Sequence, residues 1–201
     1  MMKTHFFLFL LLLFPLLLTF AQENLAPNQF EHLIPDPPRR SLAPENPEAP
    51  PRQYRELSLG MPLDELKSAL INDSLFLFRG DRDVSFLPIR EETLIETTGL
   101  SFIRRAYFQL VDGIVYIMSF SLDTRIMDHY SVFTSFIKKY GEPVTLNPAE
   151  AIWESDDTRV SIERPLTIKY IDKTIFNRLL EESRTNDRQE LLRREEFLAD
   201  F

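Results

Sequence analysis

The sequence predicts an α+β domain: an antiparallel sheet with helices packed on it, made of two helix-then-strands units. Three observations carry this. Phe102 to Val111 and Ile114 to Leu122 are rich in aromatic and β-branched residues and flank Asp112-Gly113, the two-residue turn chemistry of a type I′ hairpin. Residues 62–71 and 128–140 carry apolar side chains at helical spacing. The strand-like runs follow one another in the order α-ββ-ββ-α-βββ-α, with few helices between them, which favours antiparallel pairing over parallel crossovers.

The chain has 201 residues, a formal net charge of −8 and no cysteine. Its N-terminus reads as an address. Lys3 precedes an apolar run from Phe6 to Phe20, and Thr19-Phe20-Ala21 places small residues at −3 and −1. That is a secretory signal peptide, residues 1–21, cut after Ala21. The run is interrupted by Pro15 and is short against the ~20 residues a spanning helix needs, so contact with a membrane is expected only where the leader stays uncleaved. No cysteine follows for lipid attachment. The expected location is periplasmic or secreted.

Residues 22–53 hold 8 of the 14 prolines, from Pro27 to Pro51. Such a segment buries too little apolar surface to offset its ordering entropy and reads as a disordered, extended linker. A peptide ligand for a partner's aromatic groove is the sharper alternative. The globular domain is expected over 54–183.

Within it, Pro62 suits a first helical turn, Asp64 and Glu65 favour its positive end, and Met61, Leu63, Leu66, Ala69 and Leu70 form the apolar stripe. Leu75–Phe78 and Val84–Leu87 around Gly80-Asp81-Arg82 predict a hairpin. The next hairpin, 102–122, has both faces partly apolar, which places it centrally or under helices. Asp128 caps the second helix, Tyr130, Phe133, Phe136, Ile137 and Tyr140 line it, and Gly141 and Pro143 stop it. Strands follow at Ala151–Glu154, Arg159–Glu163 and Leu166–Ile171, with turns at Asp156-Asp157 and Arg164-Pro165. Ile175, Phe176, Leu179 and Leu180 then share a docking face on a helix ending near Ser183. Residues 184–201 read as a charged amphipathic helix or tail, with a second helix over 187–200.

Composition removes several chemistries. Without cysteine there is no disulfide, thiolate nucleophile, zinc ribbon or iron–sulfur ligation. Of three histidines, His5 falls in the leader and His32 in the linker, leaving His129 alone in the domain. The acidic balance argues against nucleic acid, which needs a concentrated positive field. No nucleophile elbow or glycine-rich phosphate cradle occurs. Glu91-Glu92, Glu154, Asp156-Asp157 and Glu163 fall in turns and strand ends, and Asp81, Asp83 and Asp156-Asp157 match no calcium loop. No catalytic, cofactor-binding or metal-binding residue is assigned.

Partner-binding candidates remain. Leu191, Leu192, Phe197 and Leu198 form an apolar stripe on the tail, whose bland reading is a solvated, fraying end. Phe201 offers a terminal ring and carboxylate. Trp153, the only tryptophan, is either core or a binding hot spot.

Leu59-Gly60-Met61-Pro62-Leu63-Asp64-Glu65-Leu66 resembles the opening of small bacterial envelope domains of the BamE (SmpA/OmlA) type. Tyr140-Gly141-Glu142-Pro143, then Ile152-Trp153-Glu154 and Thr158-Arg159-Val160, resemble the helix and Trp-strand pattern of related domains. The twice-used helix and strands are similar to the beta-lactamase-inhibitor-protein fold. The resemblance covers about residues 57–171. Pro62 replaces the usual Ser/Thr cap, and the anchoring cysteine of BamE is absent. What the resemblance implies is a non-catalytic, cofactor-free envelope domain that binds an envelope protein. A small-ligand or lipid-binding domain using the aromatic sheet face is the alternative, and an enzyme without a recognisable motif comes third.

Overall fold

The computed structural model describes residues 42–87 and 92–199. The expected leader, the linker up to Ser41 and the terminal Phe201 lie outside the described residues.

The elements in chain order are β1 (Gln53–Tyr54), β2 (Leu57–Ser58), α1 (Leu63–Asn72), β3 (Val84–Leu87), β4 (Glu92–Thr98), β5 (Ile103–Val111), β6 (Ile114–Leu122), α2 (His129–Tyr140), β7 (Thr145–Leu146), β8 (Glu150–Glu154), β9 (Thr158–Glu163), β10 (Thr167–Asp172) and α3 (Lys173–Ala199). β1 and β2 pair as a small ribbon. The other eight strands form one antiparallel sheet, ordered β3-β4-β5-β6-β10-β9-β8-β7. The sheet is two four-stranded meanders, each preceded by a helix, joined where β6 and β10 pair from Thr167↔Ser121 to Ile171↔Ile117. The α+β class and the twice-used unit are both present.

The Asp112-Gly113 turn has the positive φ values the hairpin requires at both positions, 53° and 73°. β5 and β6 sit in the middle of the sheet, and Ala106, Phe108, Leu110, Val115, Met118 and Phe120 bury beneath α1, against Leu66 and Leu70. Asp128 caps α2 by accepting from the Ser131 N–H at 2.8 Å. A second cluster gathers Val132 and Ile137 of α2 with Ala151, Trp153, Ile162 and Leu166.

The expected hairpin of 75–78 with 84–87 does not form. Phe76 makes only an isolated bridge to Gly99, and β3 pairs instead with β4. The cause is local. The Asp83 carboxylate accepts from the Arg79 N–H at 2.9 Å and the Arg79 guanidinium at 2.8 Å, winding Gly80–Asp83 into a 3₁₀ turn, so the two segments follow β4 in succession, Phe76 and Leu77 at Thr98–Gly99 and Val84–Leu87 at Glu92–Ile95.

The C-terminal helix also differs from expectation. It runs unbroken from Lys173 to Ala199: 181–190 holds no Gly or Pro, and Arg178–Glu182 and Glu181–Arg184 pairs at 3.3 and 2.6 Å support the turn that leads into it. The last stretch of the proline-rich segment lies on the domain. Ala43 joins the second cluster, the Glu48 N–H donates to the Lys139 carbonyl at 3.0 Å, and Arg52 donates to the carboxylates of Asp157, at 3.0 Å, and Asp172.

Depressed carboxyl groups set the acid limit of the fold. Hydrogen bonds from the Arg125 guanidinium and backbone hold Asp123 at about 2. Burial raises Asp83, but the bonds from Arg79 outweigh it and the net shift is downward. Unfolding returns both to the ordinary range near ~4, so the unfolded chain binds more protons in between. Stability should therefore fall from about 4 towards 2, after a shallower loss below about 6.5, where the unfolded chain protonates the His129 imidazole that burial disfavours charging in the fold. Urea titrations across that range check this; Asp83→Asn and Asp123→Asn should each flatten the slope.

Candidate functional site

Asp172 ends β10 and starts α3 by accepting from the Ile175 N–H at 3.0 Å, and its carboxylate is held by Arg52. From there Ile175, Phe176 and Leu179 pack on Val111, Tyr116, Ile117 and Ile171, on the sheet face opposite α1. Arg178 fixes the next turn on Asp112 at 3.0 Å. Leu180, expected in this docking face, points to solvent. Every described residue from 181 to 198 is exposed.

The helix is thus anchored for two turns and then leaves the domain. Leu191, Leu192, Phe197 and Leu198 lie on the projecting half, each more than half exposed (57–65%). Arg193, Arg194, Glu195 and Glu196 flank them, and none of these four forms an ion pair among the described residues. The structure brings four of the six candidates onto one element. Trp153 belongs elsewhere. It is 2% exposed, packed at a tilt of 54° against Phe136 and Phe133 with centroids at 5.2 and 6.0 Å, and its indole N–H donates to the Gly141 carbonyl at 2.8 Å. A side chain so enclosed offers no ring to a partner, and the core reading is the one its position supports.

The aromatic face of the sheet is filled. Phe108, Phe76, Tyr170 and Tyr54 surround Phe120, with centroids 4.7–6.2 Å from its ring, and α1 closes over them. Among the described residues, side chains occupy the space where a concave apolar pocket would lie on that face. An open cleft of about 380 Å³ lies between Pro47–Pro50 and the end of α2, with Tyr140, Glu142 and Asp156 on its walls.

His129 packs beside the Phe133 ring, centroids 6.3 Å apart, and burial and the nearby Arg164 lower its pKa. Its neighbour Asp128 is occupied as the α2 cap. Glu154 binds Arg159 at 2.6 Å and Lys173 at 3.2 Å; these bonds outweigh its burial and hold its pKa down. Among the described residues no group of three or more His, Asp or Glu converges as a metal site. No described helix is long and apolar enough to cross a membrane.

No curated protein and no solved structure matches the chain. One family model, the TP0088 domain, matches residues 52–182. The match begins at Arg52, the residue that grips Asp172, and ends where α3 leaves the sheet.

Proposed function

This chain belongs to the TP0088 domain family, and from that premise we propose that it is an exported envelope protein whose domain presents the second half of α3 to a protein partner. The observation that carries the reading is the exposure of Leu191, Leu192 and Leu198 on a helix anchored rigidly at its base. An amphipathic helix offers a partner's groove its apolar stripe at helical spacing, and a preformed helix loses less entropy on docking than a disordered tail. The match to the family domain ends at 182, before the presented half. The leader pattern over 1–21 and the likeness of Leu59–Leu66 to BamE-type openings support the envelope location. The reading involves no cofactor and no catalysis.

Crosslinking and affinity capture from the native envelope fraction test it, comparing the chain from Gln22 with one ending at Ser183 and with a Leu191→Glu, Leu198→Glu double variant. One specific protein should be captured by the first and at least about tenfold less by the others, the scale of losing two interface anchors. Equal capture by all three would remove the helix from the interface.

A further inference from the structure

The two loops at the end of the sheet away from the Asp112-Gly113 turn carry an apolar tip and an arginine rim. The β4–β5 turn presents Leu100 and Phe102. Its shape is fixed: Ser101 sits at φ 55°, and a Cβ on Gly99 would lie 2.3 Å from the Ile103 carbonyl oxygen. The β6–α2 loop beside it presents Ile126 and leads to Tyr130. The two are tied directly, the Asp123 N–H donating to the Phe102 carbonyl at 2.9 Å. Phe102 and Ile126, on the two loops, are 50% and 58% exposed, and Tyr130, in the first turn of α2, is 71% exposed.

Arginines ring this tip. Arg125 is spent on Asp123, at 2.9 Å from its Nε. Arg104 meets only the Ser121 hydroxyl, at 3.2 Å, and Arg164 only the Pro148 carbonyl, at 2.7 Å; neither has a carboxylate partner among the described residues. The Leu122 N–H donates to the Leu166 carbonyl at 2.9 Å, which sets the Arg164–Leu166 turn beside the start of the β6–α2 loop, and Arg104 reaches the same end of β6 at Ser121; Arg104 also shares the field of Asp123. Across the two loops and the Arg164-Pro165 turn, three arginines, Arg104, Arg125 and Arg164, stand against the carboxylates of Asp123 and Asp128, and in a chain of net charge −8 that local positive excess beside exposed Phe and Ile selects an anionic surface with an apolar interior.

We propose that this end of the domain docks on an anionic lipid membrane, Phe102 and Ile126 entering the interfacial zone and Arg104 and Arg164 binding lipid phosphates. Exposed aromatic and aliphatic tips gain by leaving water for the acyl boundary, and each basic residue near an anionic bilayer contributes about a fivefold gain in partitioning. The site is independent of α3, which is anchored at the opposite end of the sheet. A domain seated this way holds the projecting helix away from the bilayer.

The test is vesicle co-sedimentation of the chain from Gln22, which lacks the apolar leader, with bilayers of equal parts phosphatidylglycerol and phosphatidylcholine and with phosphatidylcholine alone. The chain should bind the mixed vesicles, more weakly at high salt. A Phe102→Ser, Ile126→Ser variant, shown folded by its thermal transition, should lose at least about tenfold. An Arg104→Gln, Arg164→Gln variant should lose the preference for phosphatidylglycerol. The chain ending at Ser183 should bind as the parent does, which separates this site from the helix. No binding to mixed vesicles, equal binding by both variants, or full competition by soluble glycerol phosphate would overturn the proposal, the last by showing a small-anion site instead.

Discussion

Trp153→Ala should cost about 3–5 kcal/mol of stability, the range for deleting a large buried aromatic side chain. For a domain of this size that lowers the melting temperature by about 10 °C or more. The magnitude follows from position. β8 alternates its side chains so that Ala151 and Trp153 face α2 while Ile152 and Glu154 face away, and the indole fills the space between Phe133 and Phe136. Its removal leaves a cavity with those two rings on its walls, and they sit on a helix capped at both ends, which limits collapse. It also orphans the Gly141 carbonyl at the point where α2 stops. Trp153→Phe separates the two contributions: most of the volume stays and the hydrogen bond goes, so the loss should be about 1–2 kcal/mol. Thermal and urea unfolding of the pair measure both. A melting temperature for Trp153→Ala within a few degrees of the parent would mean that α2 closes over the gap, and that the second cluster is far softer than its packing implies.

What the sequence discloses and what it hides divide along the range of the interactions. The β5–β6 hairpin and α2 are legible because their signals are local: Asp112-Gly113 sets one, and Asp128 with Gly141 bounds the other. β4 is hidden because half of it is polar. Thr93, Ile95 and Thr97 face the helices while Glu92, Leu94, Glu96 and Thr98 face the open side, so no clean alternation of apolar and polar residues survives. β7 is two residues long, too short to leave a pattern. The docking of 42–53 cannot be read from proline content, because what orders it lies about a hundred residues away, at Asp157 and Asp172. Residues 183–190 contain no large apolar side chain, which reads as a break, yet they hold no Gly or Pro and the helix runs through them. The apolar stripe of the tail is legible as spacing. The arginine-rimmed tip is not, because Phe102, Ile126 and Arg164 come to one end of the sheet only when the two meanders join at β6 and β10.

Arg52→Ala should be the most damaging change outside the core, at about 2–4 kcal/mol. Asp172 is 5% exposed, and its carboxylate has two partners: the Ile175 N–H, which starts α3, and the Arg52 guanidinium. Removing the guanidinium leaves a buried anion with one neutral donor, and breaking a buried pair from one side is expensive for that reason. The figure is taken below the usual range because the Arg52 side chain is a third exposed and water already shares it. Its second carboxylate, Asp157, is half exposed at 53% and contributes little. Asp172→Asn in the Arg52→Ala background should recover part of the loss by neutralising the stranded charge while keeping an oxygen for the cap. Arg52→Lys should recover less than a full charge would suggest, since an ammonium cannot reach Asp157, Thr158 and Asp172 with the separate nitrogens of a fork. Urea unfolding of the parent, Arg52→Ala, Asp172→Asn and the double variant gives the double-mutant cycle, with Arg52→Lys measured beside it. Because the same pair fixes the base of α3, hydrogen exchange at Ile175–Leu179 should speed up in Arg52→Ala while exchange in α1 changes only with global stability. Uniform acceleration would mean that the strap stabilises the whole domain without orienting the helix, and the partner would then meet a helix positioned by Ile175, Phe176 and Leu179 alone.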